Sequence, residues 1–365
     1  MKIVLSQNKL YTVLQYMSGP TIIRQNLPIL NSVFLETTKN QLKLTTTNLD
    51  ITILAFLDVN ILTPGKILLP FKQFFSTIRE LPSQEITLEL VKNNLLIKCE
   101  KIEIEINTFN IDEFPKLEYP KETLLIKINP YDLLSIIKLT SFCVGHEDTS
   151  YILNGILFEV QNNTIKGIST DGKRLAVAER KLSPHQPELK NKLKFILSFK
   201  TVNEIQRILK DKEEEIYFYI EGNKVGFDLN NLQIITRPME GEFPPYEEYI
   251  PPSQQEKLQI KRNLFLSSLK RAALLSTPEH QGVILELKKN EIIIQKITPQ
   301  IGKIKEKISC SYNGKSFSIG FNPYYLIDVL KNIEEEDVFF EFFDVDKPAV
   351  LRMKDYVYLV LPMRI

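Results

Sequence analysis

One stretch of this sequence returns twice, at a spacing of about 125 residues, and each return brings its neighbours with it in the same order. Ile67-Leu-Leu-Pro-Phe-Lys-Gln-Phe-Phe-Ser-Thr-Ile-Arg-Glu-Leu81 is followed by Phe195-Ile-Leu-Ser-Phe-Lys-Thr-Val-Asn-Glu-Ile-Gln-Arg-Ile-Leu209 and by Phe317-Ser-Ile-Gly-Phe-Asn-Pro-Tyr-Tyr-Leu-Ile-Asp-Val-Leu330. Read this way, Phe71, Phe199 and Phe321 mark one position. Val33-Phe-Leu-Glu36 corresponds to Ile156-Leu-Phe-Glu159 and Val283-Ile-Leu-Glu286, and Glu113-Phe-Pro115 to Glu242-Phe-Pro244. Leu10, Val13 and Leu14 match Leu133, Ile136 and Ile137, with Leu266, Leu269 and then Lys270 in the third copy. A period of this size implies a domain used three times, so we expect domains at 1–120, 121–253 and 254–365.

Hydrophobic periodicity says what each domain contains. Phe71, Phe74, Phe75 and Ile78 have the spacing of an amphipathic helix, as do Leu10, Val13, Leu14 and Met17. Ile102-Glu-Ile-Glu-Ile106 alternates as a half-buried strand does, while Ile216-Tyr-Phe-Tyr-Ile220 and Val338-Phe-Phe-Glu-Phe-Phe343 are aromatic strand formers. A helix followed by about three strands, twice per domain, predicts a layered α+β fold. Residues 114–122 and 243–252 collect proline and charge and are expected to run extended between domains.

The composition, 43% hydrophobic and 25% charged, is that of a soluble globular protein, and no run approaches the ~20 apolar residues of a membrane span. The first residues lack the apolar core of a signal peptide, and three scattered cysteines, Cys99, Cys143 and Cys310, suit a reducing cytoplasm. Forty-six basic residues against 45 acidic leave a net charge of +1, which excludes a tight grip on phosphates over the whole surface.

Catalytic signatures are missing. His146, His185 and His280 lie far apart, there is no Cys-x-x-Cys, and no phosphate-binding or nucleophile-elbow motif occurs. No metal, cofactor or enzymatic activity is therefore implied. Thr170-Asp-Gly-Lys-Arg-Leu175 groups Asp171, Lys173 and Arg174, but Asp-Gly is a hairpin signal and a turn accounts for it. Lys72 and Arg79 share a helix face, Lys200 and Arg207 repeat them, and Asn322 and Val329 take those places in the third copy. Lys138 and Arg271 coincide between the second and third openings.

Over essentially its full length the chain resembles the bacterial sliding clamps, the beta subunits of DNA polymerase III. The resemblance rests on Ser169-Thr-Asp-Gly-Lys-Arg-Leu-Ala176, Leu153-Asn-Gly-Ile-Leu-Phe-Glu159, the terminal Tyr358-Leu-Val-Leu-Pro-Met-Arg-Ile365, Arg24 before Leu27-Pro-Ile-Leu30, and Glu-Phe-Pro before Tyr246. It implies three clamp-type domains, each of two helices on antiparallel sheets, and a head-to-tail homodimer closing into a ring around duplex DNA. The function so implied is processivity: tethering the replicative polymerase, the clamp loader and other proteins with clamp-binding peptides. DNA contact would be sequence-independent, through Arg24, Lys72, Arg79, Lys138, Tyr151, Lys200, Arg207 and Arg271.

The same resemblance places a partner-peptide pocket at Leu153, Thr170, Gly172, Lys173, Arg174, Leu175, Pro244, Tyr249, Asn322, Tyr325, Leu359, Leu361, Pro362, Met363 and Arg364. An apolar groove with an arginine to orient the ligand is chemically suited to a peptide. The dimer contact would set Ile104 and Ile106 against Leu274 and Leu275. Lys173, Tyr249 and Glu147 depart from the family pattern. The residues alone leave two other readings open: a monomeric single-strand binder with tyrosine stacking platforms, and a three-domain enzyme with Asp171 and Lys173 in a cleft.

Overall fold

A computed structural model describes residues 1–22, 27–117, 125–145, 150–184, 192–210, 212–254 and 256–364. Its recurrent element is strand, helix, three strands. The first repeat runs β1 (Lys2–Ser6), α1 (Gln7–Tyr16), a single turn α2 (Gly19–Ile22), β2 (Ser32–Thr37), β3 (Gln41–Thr47), β4 (Ile51–Asp58) and a short β5 (Asn60–Thr63). Its second half is β6 (Lys66–Pro70), α3 (Phe71–Glu80), β7 (Glu85–Val91), β8 (Asn94–Cys99) and β9 (Ile102–Asn107). The second repeat has β10 (Ile126–Ile128), α4 (Pro130–Thr140), β11 (Gly155–Gln161), β12 (Thr164–Thr170) and β13 (Arg174–Lys181), then β14 (Leu193–Ser198), α5 (Phe199–Leu209), β15 (Ile216–Glu221), β16 (Lys224–Asp228) and β17 (Leu232–Thr236). The third has β18 (Leu258–Lys261), α6 (Arg262–Ala273), β19 (Val283–Lys288), β20 (Glu291–Thr298) and β21 (Gly302–Ser309), then β22 (Phe317–Phe321), α7 (Pro323–Asn332), β23 (Asp337–Phe342), β24 (Ala349–Met353) and β25 (Tyr356–Val360).

The halves of each repeat exchange strands. The strand entering the first helix pairs with the second half (β1 with β7, β10 with β15, β18 with β23), and the strand entering the second helix pairs with the first half. All pairings are antiparallel. The helices cover the sheets through the residues their spacing singled out: Phe71, Phe74 and Ile78 of α3 are buried, and Tyr11 of α1 stacks on Phe75 at 5.7 Å. Burying each such ring contributes about 1.5–3 kcal/mol, far more than helix propensity does.

Two expected correspondences shift in the third repeat. Phe71 and Phe199 open their helices, whereas Phe321 ends β22 and Pro323 opens α7 behind an Asn322 cap. The apolar stripe of α6 likewise starts at Phe265, not Leu266 alone, and Leu269 takes the place of Leu14. Counted from the helix starts, Lys331 then stands where Arg79 and Arg207 stand, and Lys270, not Arg271, matches Lys138.

Residues 243–252 also differ from the extended linker that proline content suggested. Tyr246–Tyr249 form a 3-10 turn, with Tyr246 buried and Phe243 and Ile250 packed on the core. Apolar contact at those three positions outweighs the bias of the prolines. The later part of the expected first linker, 118–122, lies outside the described residues.

The chain divides into two compact units, one built mainly on Met1–Pro130 and Asn203–Pro238, the other on Tyr131–Leu182, Leu189–Val202 and Met239–Ile365. The boundary crosses the second repeat because sheets run on from one repeat into the next. In the first unit β17 joins β4 to make an eight-stranded sheet, with Ile235 opposite Thr52, Ile234 opposite Ile53 and Gln233 opposite Leu54. In the second unit β25 joins β13 in the same way, with Leu359 opposite Leu175, Tyr358 opposite Ala176 and Val357 opposite Val177. Even the flanking hydrogen bonds agree. Phe56 N–H donates to Asn231 O and Arg237 N–H to Asp50 O at the first joint; Glu179 N–H donates to Asp355 O and Leu361 N–H to Lys173 O at the second.

Candidate functional site

The joint between β13 and β25 gathers most of the residues that the sequence marked for a peptide pocket, all within the second unit. Leading into it is the turn Thr170-Asp171-Gly172-Lys173. Asp171 Oδ1 accepts the amides of Lys173 and Arg174 at 2.9 and 3.0 Å, and the Thr170 hydroxyl donates to Arg174 O at 2.6 Å. Gly172 sits at φ +82°, a conformation that penalises a side chain. These residues build a turn, which is the chemistry their order suggested.

Arg174 is placed differently from expectation. It is 7% exposed, its Nε donates to Asp171 Oδ2 at 3.0 Å and its Nη1 to Asp328 Oδ2 at 2.7 Å. Its guanidinium lies 4.5 Å from the Tyr325 ring centre and 5.7 Å from that of Phe142. Burial opposes its charge, but the hydrogen bonds and carboxylates of Asp328 and Asp171 hold its pKa above the ordinary value. Arg174 thus fastens β13 to α7 and is already occupied. A buried ion cannot leave such partners cheaply, so Arg174 is held in this position.

Leu175 and Leu359, opposite one another and both buried, belong to an apolar core layer, the floor of this joint, that continues through Leu157, Ile168, Ile196, Met239, Tyr246 and Val350. Around it the rim is exposed: Leu361 at 43%, Met363 at 38% and Tyr249 at 64%, with Lys173 and Arg364 also open to solvent. Met363 N–H donates to Gly320 O at 2.8 Å, so the terminal segment is pinned along β22, and Pro362 between these bonds has no amide to satisfy. The Asn322 side chain accepts Tyr324 N–H at 3.0 Å and caps α7, while Tyr358 OH donates to Tyr325 O at 2.8 Å. Burial pushes the Tyr325 phenol upward in pKa, so it stays neutral.

Pro244 is half-buried between Phe243, which packs on the floor, and the turn carrying Tyr249. Leu153 is half-buried too, but it is its neighbour Ile152 that packs against the floor. Sequence reasoning missed Ile152 and Tyr246. The signal was Glu159: a carboxylate in a buried strand needs partners, and Tyr246 OH donates to it at 2.9 Å, with Lys192 and Lys194 beside it. Burial would raise the Glu159 carboxyl, yet these donors hold it below its usual value.

The helix cations fall into two groups. Lys138 pairs with Glu334, Arg79 with Glu80 and Arg271 with Glu306. Arg207 pairs with Glu204 and also donates to the carbonyls of Gln15 and Tyr16, so it caps the C-terminal end of α1. Lys72, Lys200, Lys270 and Lys331 are exposed and form no ion pair among the described residues. Tyr151 is exposed as well. Arg24 and Glu147 lie outside the described residues. Among the described residues no three His, Cys, Asp or Glu side chains gather to hold a metal ion, and no helix is long and apolar enough to cross a membrane.

Comparison with known proteins accounts for every repeat. Family models of the DNA polymerase III beta subunit match residues 1–118 (N-terminal domain), 127–245 (central domain) and 247–364 (C-terminal domain). The beta sliding clamp of Pseudomonas putida is 29% identical, with both chains covered completely. Among solved structures, the DNA polymerase sliding clamp of Pseudomonas aeruginosa superposes with a TM-score of 0.94 at 28% identity over 100% of both chains. That of Bacillus subtilis gives 0.94 at 26% identity over 100% of this chain and 99% of its own.

Proposed function

The chain belongs to the DNA polymerase III beta subunit family, and from that premise we propose that two copies close head to tail into a ring around duplex DNA. Its function is that of a DNA sliding clamp, which tethers the replicative polymerase to the template. One observation carries the ring: three copies of a single domain fill the chain, and family models for the N-terminal, central and C-terminal domains match them in order. Six such domains around a nearly symmetric duplex give every domain the same task.

In the dimer, the first repeat of one copy meets the third of the other, with Ile104 and Ile106 near Leu274 and Leu275. Support comes from Leu274, an apolar side chain left 81% exposed at the end of α6. DNA contact runs through phosphates and is weak, because Lys138, Arg79, Arg207 and Arg271 are tempered by carboxylates. Lys72 and Lys200 carry most of it, joined by Tyr151, Lys270 and Lys331. Polymerase, loader and other partners insert an apolar peptide over Leu175 and Leu359, between Leu361, Met363 and Tyr249. Lys173 then adds a positive charge at the groove mouth and favours peptides with an acidic flank.

The test is retention on DNA. Loaded protein should stay on a closed circle and leave when the circle is cut; equal retention on both forms would overturn the ring. Replacing Lys72 and Lys200 by alanine should lower the slope of affinity against salt by roughly one unit per residue replaced.

A further inference from the structure

The joint between β17 and β4 repeats the backbone of the second joint residue for residue. Ile235 opposite Thr52 stands where Leu359 faces Leu175, and Arg237 N–H donates to Asp50 O as Leu361 N–H donates to Lys173 O. A proline and a methionine follow in both, Pro238 and Met239 at the first and Pro362 and Met363 at the second. Each methionine amide donates to a strand entering a second helix, at Ile196 O and Gly320 O, both at 2.8 Å. Pro115 of Glu113-Phe-Pro115 borders the first joint, and its sequence counterpart Pro244 stands beside the second.

What the first joint lacks is a balance of charge. Lys116, Lys224 and Arg237 line a depression of about 290 Å³ there, with Asp50 the one carboxylate among its described lining residues, all within the first unit. Lys116, Arg237 and Asp50 are exposed and form no ion pair among the described residues, unlike Lys138, Arg79, Arg207 and Arg271 on the helices. Apolar groups lie between the charges: Pro115, Leu117, and Leu49 at 45% exposure. Leu49 also takes φ +75°, where Gly172 stands at the other joint. A leucine in that conformation is strained, and here it gains little burial in return. Strain kept at an exposed apolar residue points to something outside the chain that meets it.

We propose that the first joint is a second peptide site, selective for an extended segment of another protein that carries carboxylates beside an apolar side chain. Arg237 receives a carboxylate on its planar fork, Lys116 supplies a second charge, and the apolar side chain rests on Leu49 and Leu117. Nucleic acid would also answer the positive charge, but phosphates gain nothing from Leu49, Leu117 and Pro115. A space of about 290 Å³ suits side chains rather than a duplex. The chain then carries two sites on one backbone plan, read by different side chains. A partner with a segment for each gains from their linkage.

The probe is a fluorescein-labelled acidic hexapeptide with a single central valine, titrated with the full-length protein by anisotropy. Its analogue with glutamine for every glutamate and a single-stranded oligonucleotide of similar charge run beside it. The acidic peptide should bind, and Arg237→Glu with Lys116→Glu should weaken it at least about tenfold. Leu49→Gly should weaken it several-fold without lowering the melting midpoint, so lost affinity is not lost folding. Leu361→Glu, at the matching place of the second joint, should leave this affinity unchanged, which keeps the result apart from the reading of that groove. The proposal falls if the acidic peptide does not bind at millimolar concentration, or binds no better than its glutamine analogue. It falls equally if the double reversal has no effect, if Leu361→Glu is what removes binding, or if the oligonucleotide binds more tightly through the same two cations.

Discussion

The two joints within the chain share a backbone and differ in what they can bind. At the first, Thr47 and Asn48 build the turn: Asn48 Oδ1 accepts the amides of Asp50 and Ile51 at 3.1 and 2.7 Å. At the second, Thr170 and Asp171 make the corresponding bonds. Yet at the first joint the charged Asp50, Lys116, Lys224 and Arg237 stand among Leu49, Pro115, Leu117 and Ile235 around a depression. The second offers Leu361, Met363 and Tyr249 beside buried leucines, with Lys173 and Arg364 as the charged side chains at its exposed edge. Ile51 at the first joint stands where Arg174, locked to Asp171 and Asp328, stands at the second. The repeated sheet supplies a place for a ligand, and a handful of side chains decides whether anything apolar can use it.

The largest effect should come from Arg174. Arg174→Leu makes the second joint resemble the first at that position but leaves two carboxylates without their cation. A loss of about 3–5 kcal/mol in urea-induced unfolding is expected. A variant as stable as the parent would show that the cation is dispensable to the wall.

Next comes a graft in which Leu175→Thr and Leu361→Arg give the second joint the residues of the first. Affinity for a polymerase-type peptide should fall on the order of a hundredfold by calorimetry, since anchor contacts commonly carry ~2 kcal/mol or more. Dimer mass should not change. Undiminished affinity would move the peptide site elsewhere.

The turns separate the joints more finely. Leu49 occupies φ +75° at the first, where Gly172 occupies φ +82° at the second. Gly172→Ala should destabilise by about 1–2 kcal/mol, while Leu49→Gly should cost little or stabilise slightly. Equal shifts of midpoint in paired thermal melts would mean that the two turns are not strained alike.

The smallest effect concerns acid. Glu36 of the first repeat is half-buried beside Lys66, whereas its counterpart Glu159 is buried under Tyr246. The Glu159 carboxyl is held below its ordinary value, so its contribution is complete above that value, 4.5, and is lost as pH falls through the lowered folded one. Glu159→Gln should flatten that acid limb in a stability profile from pH 6 to 3, and an unchanged limb would show that the buried carboxylate does not set it.

Legibility followed how local each signal was. Helix α3 could be read from Phe71, Phe74 and Ile78, and the Asp-Gly turn from two residues, because their causes lie within a few positions. In the third repeat the alignment on Phe321 failed, although Asn322-Pro323 spelled out a helix start. A phenylalanine serves equally as the last residue of a strand or the first of a helix, so matching residue types misplaced Lys331. Arg174 was expected to face a ligand, since its motif does not reveal that Asp328 approaches from α7.

By itself the sequence determined a domain-sized unit used three times, its α+β content and the turn at Asp171-Gly172. Those follow from periodicity and turn chemistry, which act between near neighbours. Only the tertiary structure decided that the halves exchange strands, that one register recurs at both joints, and which of the described cations are held by carboxylates. Strand partners and ion pairs join residues far apart in the chain. Their choice depends on which edges and charges remain unsatisfied once everything local has formed.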